Sequence, residues 1–274
     1  MNNTSTNVDG KRFQSGADKY AAYLETAEGR LRLDLAFANL REALPQVPRS
    51  LRALDLGCGP GVTAVRLARL GIRVTLLDSS QPMLDLAERA AREAGVIDKI
   101  EVKNGDAAQL ADLFQRELFD LILCHNILEY ADDPMAIVRG AARALRDSSA
   151  MLSILVRNQA GEVLKAAIQA GDLDVAEQNL SAEWGQESLY GGRVRLFTKE
   201  RLRAMMKGAS LLVTAERGVR VISDYLPPEI ARGAEYKRIF ELERQLAIRP
   251  EFAAVARYTH CLAHRAGPAI ENGA

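Results

Sequence analysis

The stretch Arg52-Ala-Leu-Asp-Leu-Gly-Cys-Gly-Pro-Gly61 decides how this 274-residue chain can fold. An apolar segment at 51–56 has the pattern of a strand and runs directly into three glycines at alternate positions, and a helical pattern follows at about 61–70. Because glycine has no Cβ, such a turn can adopt positive φ and let the backbone approach a ligand closely. The following helix offers unpaired N–H groups to polar ligand atoms. The stretch therefore predicts a strand–turn–helix unit that binds a ligand.

A second strand, at about 72–77, ends in Asp78, which follows Gly57 by 21 residues. In a βαβ unit, an acid at this distance accepts hydrogen bonds from ribose hydroxyls. The two features together indicate an adenosine-type cofactor. The dinucleotide fingerprint is G-x-G-x-x-G, whereas the glycines here are spaced G-x-G-x-G and Val62 stands at the next position.

Strands and helices alternate along the rest of the chain. The pattern predicts further strands at about 100–104, 118–124, 150–156, 211–221 and 253–264. It predicts helices at about 17–44, 82–94, 134–146, 160–170, 198–207 and 233–247. Such alternation is typical of a doubly wound parallel sheet with right-handed crossovers. We therefore expect an α/β fold with a Rossmann-like, seven-stranded sheet.

We expect one domain over 13–274, preceded by a disordered tail at 1–12. Its core is predicted at 51–156 and 196–264. Two insertions, at 157–195 and 222–250, and the N-terminal helix are expected to form a lid. The lid would cover the carboxyl edge of the sheet, where α/β proteins bind their ligands.

Composition narrows the class of protein. The chain is 48% hydrophobic, which supports a sizeable core, and 36 basic residues balance 36 acidic ones, so no overall charge indicates a nucleic-acid or membrane partner. No apolar run is long enough to span a membrane. The three cysteines are far apart and form no C-x-x-C pair. We expect a cytoplasmic monomer or homodimer without a metal site.

Four segments, in order, resemble the motifs of class I S-adenosylmethionine (SAM) methyltransferases. They are Leu-Asp-Leu-Gly-Cys-Gly-Pro-Gly61, Leu-Leu-Asp78, Asn-Gly-Asp106-Ala and Phe-Asp-Leu-Ile-Leu-Cys-His125. The resemblance implies that SAM is the cofactor and S-adenosylhomocysteine the product.

A second resemblance covers nearly the whole chain. It rests on Glu-Gly-Arg-Leu-Arg32, His-Asn-Ile-Leu-Glu-Tyr-Ala-Asp-Asp-Pro134, Arg-Asn158-Gln-Ala-Gly161, Gly-Val-Arg220-Val-Ile-Ser-Asp224-Tyr225-Leu and Ala-Arg257-Tyr258-Thr-His260. These segments are similar to the bacterial tRNA 5-carboxymethoxyuridine methyltransferase family, which esterifies a carboxylate on the wobble uridine. The family enzyme carries a run of lysines in the insertion after strand five, whereas the matching Tyr-Gly-Gly-Arg-Val-Arg195 has only two arginines. The predicted acceptor is therefore a tRNA carboxylate or a small anionic metabolite.

The resemblance implies cofactor contacts at Arg32, Gly57, Asp78, Asp106, Ala107 and His125. Arg32 would pair with the SAM carboxylate, or else lie on the solvated face of an amphipathic helix. Asp106 would bind the adenine amino group, cap the following helix, or do both. We add Asp55, Cys58, Gly59, Gly61, Ser79 and Met83 as further predicted cofactor residues, with Asp55 shaping the glycine turn.

His125 is predicted to position the reacting groups rather than to act as a base. The candidate acceptor-binding residues are Tyr20, Arg157, Asn158, Arg195, Arg220 and Tyr225. A carboxylate acceptor needs no general base because it is ionised at neutral pH. A small-molecule O- or N-methyltransferase, a nicotinamide-dependent oxidoreductase and a non-catalytic SAM-binding subunit remain as alternatives. The glycine spacing disfavours the oxidoreductase.

Overall fold

The glycine-rich stretch lies between the first strand of a seven-stranded sheet and the helix that follows it, in a computed structural model of the chain. The structure describes residues 14–44, 50–115, 117–187, 189, 191–231 and 235–266. The tail predicted at 1–12 lies outside these residues.

The main sheet has the strand order β3-β2-β1-β4-β5-β9-β8. Its strands are β1 Arg52–Leu56, β2 Arg73–Asp78, β3 Ile100–Asn104, β4 Leu121–His125, β5 Met151–Arg157, β8 Leu211–Val219 and β9 Tyr258–Arg265. Two short strands, β6 Trp184–Gln186 and β7 Arg193–Arg195, pair as a separate antiparallel ribbon. The seven-stranded Rossmann-like sheet is thus confirmed, and the small ribbon was not predicted.

The sheet, predicted as parallel, is antiparallel at one edge. Strands β1 to β5 run parallel, but β9 is antiparallel to both β5 and β8. Val219 at the end of β8 pairs with Tyr258 at the start of β9. The connection 220–257 therefore starts and finishes at the same end of the strands. The strand predicted at 253–264 begins only at Tyr258, because Pro250 opens a helical turn at 250–253.

Helices cover both faces of the sheet. They are α1 Ala17–Leu24, α2 Ala27–Ala43, α3 Val62–Arg69, α4 Gln81–Glu93, α5 Leu110–Leu113, α6 Pro134–Ala144, α7 Gln159–Leu164, α8 Leu173–Asn179, α9 Lys199–Gly208, α10 Pro228–Ala231, α11 Tyr236–Ala247 and α12 Pro250–Ala253. A π-helical turn, Lys165–Ala170, continues α7. Within the described ranges, no helix is long and apolar enough to cross a membrane.

The single helix predicted at 17–44 is two helices. The first ends at Leu24, and Thr26 caps the second, because its hydroxyl accepts a hydrogen bond from the Gly29 amide at 3.1 Å. The two helices cross closely at Gly29, where an added Cβ would lie only 2.1 Å from the Tyr23 carbonyl oxygen. This crossing holds α1 against the carboxyl edge of the sheet.

The core forms because strand side chains alternate between the two faces. On one face, Ile122 and Ile154 pack with residues of α6 and α9. On the other, Leu121 and Leu123 pack with residues of α2, α3 and α4. Every residue of β5 is buried, as expected for a central strand with both faces covered. This rigid sheet fixes the positions of the residues that follow its strands.

Candidate functional site

A cavity of about 650 Å³ lies at the carboxyl edge of the sheet. Each strand of the main sheet contributes a lining residue at or just after this edge: Gly57, Asp78, Asp106, His125, Arg157, Arg220 and Tyr258. Helix α1, the π-helical turn, Glu187 and Leu189 contribute further lining residues. A smaller cavity of about 50 Å³ adjoins it and shares Tyr20, Arg32 and His125 with it. We call the two the main cavity and the side cavity.

Most predicted site residues lie in these cavities. The main cavity is lined by Tyr20, Arg32, Gly57, Gly59, Asp78, Ser79, Met83, Asp106, Ala107, His125, Arg157 and Arg220. Asp55 and Cys58 line the side cavity. Gly61, Asn158, Arg195 and Tyr225 line neither.

The glycine turn is tied to the acid at the end of β2. Asp78 accepts hydrogen bonds from the Gly59 and Ser80 amides, both at 2.9 Å, one on each carboxylate oxygen. A carboxylate has about four acceptor positions, so Asp78 keeps capacity to accept from a hydroxyl in the cavity. Burial raises the pKa of Asp78, although the backbone N–H bonds oppose that rise. Gly57 has a φ of +62°, and a Cβ there would lie 2.7 Å from the Ile127 side chain, so the turn requires glycine.

Asp106 caps the turn that follows β3. Its carboxylate accepts a hydrogen bond from the Ala108 amide at 2.9 Å. The capping role is therefore observed. Because Asp106 and Ala107 also line the main cavity, a ligand contact at the same residue stays a prediction.

Arg32 is a buried cation without a carboxylate. Only 5% of the residue is exposed, which excludes the solvated-face alternative. Its Nη2 donates to the Tyr20 hydroxyl at 2.9 Å, and its guanidinium lies 5.1 Å from the Tyr23 ring and 5.6 Å from the Tyr258 ring. No ion pair joins it to a described residue, and its Nε is buried without a hydrogen-bond partner. A buried charge of this kind is costly unless an anion meets it.

Arg157 at the end of β5 is already neutralised. It forms ion pairs with Glu162 at 3.2 Å and with Glu187 at 2.8 Å. Burial works against the charge on Glu187, but the Arg157 guanidinium, the Leu189 amide and the Tyr130 hydroxyl together outweigh it and lower the pKa of that carboxyl. Arg157 therefore lines the cavity as one member of an ionised cluster rather than as a free cation.

Arg220 and Arg257 are neutralised in the same way. Arg220 Nε lies 2.7 Å from an Asp224 oxygen, and its Nη1 donates to the Tyr23 hydroxyl at 3.1 Å. Arg257 contacts Asp224 at 3.5 Å and also pairs with Glu162. Their charges hold the two insertions to the sheet.

Lys165 is the exception on this side of the cavity. It lines the main cavity from the π-helical turn, and no ion pair joins it to a carboxylate among the described residues. Burial lowers the pKa of its ammonium group, and the nearby Arg257 lowers it further. Glu162 and Asp224 oppose this lowering, although neither forms an ion pair with Lys165. With Arg32, the cavity thus holds two cations that form no ion pair with a described carboxylate.

Tyr258 lies in the middle of this cationic region and is only 3% exposed. Burial alone would raise the pKa of its hydroxyl, but four surrounding guanidinium groups outweigh burial and lower the pKa to about 8. The cavity therefore stabilises negative charge at this point.

His125 ends β4 and is held by a hydrogen bond to Ser153, 2.8 Å from its Nε2. Burial, followed by the charge of Arg32, lowers the pKa of the imidazole to about 3. The ring is therefore neutral at physiological pH and a weak base.

Two non-glycine residues of the cavity wall have left-handed backbone angles. Asn126 has a φ of +55° and Arg220 a φ of +61°, and each directly follows a strand of the main sheet. Such angles are strained for residues with a Cβ and persist where the surroundings hold them. Asn126 is held by Glu129, whose Oε1 accepts from the Asn126 amide and the Arg157 backbone, both at 3.0 Å.

The four predicted residues outside the cavities have other contacts. Asn158 donates to the carbonyls of residues 254 and 256, at 2.9 and 2.8 Å, so it fixes the start of α7. Arg195 pairs with Glu183 and lies 4.4 Å from the Trp184 ring. Gly61 caps α3 and packs against α4, and Tyr225 lies in a 3-10 turn.

Sequence reasoning missed several lining residues: Glu129, Lys165, Glu187 and Asp224 among the charged ones. Glu129 and Asp224 lie in the segments that carry the family resemblance but were not singled out, whereas Lys165 and Glu187 lie outside those segments. Burial and the pairing of neighbouring charges single out Lys165, and neither can be read from the sequence.

Comparison with known proteins agrees with this geometry. A family model described as a methyltransferase domain matches residues 53–148. The tRNA 5-carboxymethoxyuridine methyltransferase of Escherichia coli K12 is 28% identical over 264 residues, covering 93% of this chain and 96% of the relative. A ubiquinone biosynthesis O-methyltransferase of Xanthomonas oryzae is 32% identical over 177 residues, covering 60% of this chain and 70% of the relative.

Solved structures match at the level of the fold. Magnesium protoporphyrin IX methyltransferase from Synechocystis PCC 6803, with bound SAM, aligns with a TM-score of 0.62. The alignment covers 97% of this chain and 99% of that one, at 14% identity.

Proposed function

The chain belongs to the class I SAM-dependent methyltransferases, and from this premise we propose that it esterifies an ionised carboxylate of its acceptor. One observation carries the proposal. The cavity contains two cations, Arg32 and Lys165, that form no ion pair with a described carboxylate. SAM brings one carboxylate, and a carboxylate acceptor would bring the second.

The residues present fit the cofactor. Arg32, with its buried and unpartnered Nε, would hold the SAM carboxylate, and Asp78 would accept from the ribose hydroxyls. The turn at Gly57 leaves the backbone open to close approach, and Asp106 with Ala107 would meet the adenine. When bound, SAM supplies a methyl group already activated by the sulfonium.

Lys165, which also lines the cavity, would hold the acceptor carboxylate. Esterification of a carboxylate forms one C–O bond and breaks one C–S bond, and no proton has to move. The site therefore has to position the anion and exclude water from it. An alcohol or amine acceptor would need a base. His125, with a pKa near 3, is poorly suited to that task.

We further propose the 5-carboxymethoxyuridine of tRNA as the acceptor. The support is the extent of similarity to the E. coli tRNA enzyme, which covers 93% of this chain and so includes the insertions that line the cavity.

A small carboxylic acid is the second candidate, and the charge around the cavity favours it. Arg195, in the ribbon where the tRNA family carries lysines, is already paired with Glu183 and stacked on Trp184. Acidic residues, among them Asp132 and Asp133, line the cavity instead. Phosphate contacts supply much of the affinity for nucleic acid.

One assay tests whether the methylated group is a carboxylate and distinguishes tRNA from a small acid as the acceptor. The enzyme is incubated with SAM and either tRNA that carries the unesterified nucleoside or a panel of small carboxylic acids, and products are analysed by mass spectrometry. We expect a methyl group that mild base removes, as a methyl ester requires. A steep salt dependence of the KM would identify tRNA. A methylated product that resists mild base would overturn the carboxylate assignment.

A further inference from the structure

Four side chains from four different elements form one buried hydrogen-bonded chain behind the cavity. Asn39 Nδ2 lies 3.3 Å from His260 Nδ1, and His260 Nε2 lies 2.8 Å from the Ser153 hydroxyl. The same hydroxyl lies 2.8 Å from His125 Nε2. We call Asn39, His260, Ser153 and His125 the histidine chain. Only His125 reaches the cavities, which makes the other three candidates for positioning residues.

The histidine chain has a defined direction. The Asn39 amide nitrogen can only donate, so His260 Nδ1 must accept and the proton of that ring lies on Nε2. His260 Nε2–H then donates to Ser153, and the Ser153 hydroxyl donates to His125 Nε2. The proton of His125 must therefore lie on Nδ1.

Both rings stay neutral. Burial lowers the pKa of His260 far below its usual value, and the adjacent His125 lowers it further. The two rings meet edge to face, with centroids 5.2 Å apart. A neutral His125 matters because SAM already carries a sulfonium, and an imidazolium would add a second cation close to it.

Within the histidine chain, His125 uses only its Nε2. No hydrogen bond joins His125 Nδ1 to a described residue, so Nδ1 is available to a ligand. His125 and Arg32 line both cavities together. We propose that Asn39, His260 and Ser153 position His125 as a neutral Nδ1–H donor to the carboxylate of SAM, beside Arg32. The inference rests on the cofactor placement proposed above.

The variant Asn39→Asp tests the direction of the histidine chain. An aspartate accepts from His260 Nδ1–H, as in a Ser-His-Asp triad. Donor and acceptor are then exchanged in every hydrogen bond of the histidine chain. His125 Nε2 then becomes the donor to Ser153, and Nδ1 presents a lone pair to the SAM carboxylate. Shape and volume are nearly unchanged.

Calorimetry with two nucleosides gives the readout. S-adenosylhomocysteine has the amino-acid carboxylate, and 5′-methylthioadenosine lacks it. We expect Asn39→Asp to bind S-adenosylhomocysteine ~10-fold more weakly, the size of one hydrogen bond to a charged group, and to bind 5′-methylthioadenosine as the wild type does. Ser153→Ala should show the same selective loss. His264→Gln, outside the histidine chain, should show none. Equal losses for both nucleosides would mean a purely structural role and overturn the proposal.

Nitrogen-15 NMR of the imidazoles tests the tautomer directly in the full chain, which has only three histidines. We expect His125 as the Nδ1–H tautomer in the wild type and as the Nε2–H tautomer in Asn39→Asp. An Nε2–H tautomer in the wild type overturns the proposal even if a variant fails to fold. Neither experiment uses an acceptor, so failure of the carboxylate-acceptor proposal leaves its outcome unaffected.

Discussion

At the residue scale, ion pairing decides which cations of the cavity are available to bind an anion. Arg157 and Arg220 have the chemistry expected of acceptor ligands, yet each is paired with a carboxylate. Lys165, with no such pair among the described residues, is the better anchor for an anion. Residue type alone therefore does not identify the side chain that binds the acceptor.

Lys165→Met should raise the acceptor KM by ~10-fold or more, because the carboxylate loses a charge-assisted hydrogen bond in a partly desolvated site. The kcat should change less than the KM. Lys165→Arg is the matched control and should recover most of the affinity. An unchanged KM in Lys165→Met would show that another group binds the acceptor.

Tyr258 should give the acceptor KM a pH dependence. Its phenol is neutral below a pKa of about 8 and negative above it. As pH rises through that value, the phenolate competes with the acceptor carboxylate for the same cations, so the KM rises. Tyr258→Phe should abolish the rise between pH 7 and about 9. A rise that persists in the variant would mean that a different group titrates.

At the scale of elements, the sequence predicted what is local and missed what depends on tertiary contacts. The alternation around Gly57 and Asp78 located β1, α3, β2 and α4 to within a residue or two. The orientation of β9 could not be inferred, because apolar periodicity does not specify the direction of a strand. The break at Thr26 was missed because the apolar positions continue through it. Lys165 was missed because it lies outside the segments that carry the family resemblance.

The crossing of α1 and α2 predicts that a Gly→Ala substitution lowers the free energy of unfolding instead of raising it. In an open helix position, Gly→Ala stabilises by ~0.5–1 kcal/mol. At Gly29, however, the new Cβ would lie 2.1 Å from the Tyr23 carbonyl oxygen. Gly29→Ala should therefore destabilise by ~1–3 kcal/mol, the usual cost of overpacking, in urea unfolding. Weaker S-adenosylhomocysteine binding should accompany it, because α1 carries Tyr20 to Arg32. A more stable variant would contradict the crossing.

At the scale of the whole molecule, the buried histidines link stability to pH. The fold lowers the pKa of His260 below that of the unfolded chain, so the unfolded state binds more protons as pH falls below about 6.5. Stability from this source is therefore complete above that pH and is lost on acidification. Relative to His260→Gln, the wild type should lose stability between pH 7 and about 5. A constant difference across this range would show that His260 titrates normally.

The complete molecule lines one cavity with two cations, Arg32 and Lys165, that form no ion pair with a described carboxylate. Titration of S-adenosylhomocysteine by calorimetry into the wild type, Arg32→Met and Lys165→Met tests it most directly. We expect binding to the wild type, a ~10-fold or greater loss of affinity in Arg32→Met, and unchanged affinity in Lys165→Met. Equal affinities in all three proteins, or no binding to the wild type, would contradict it.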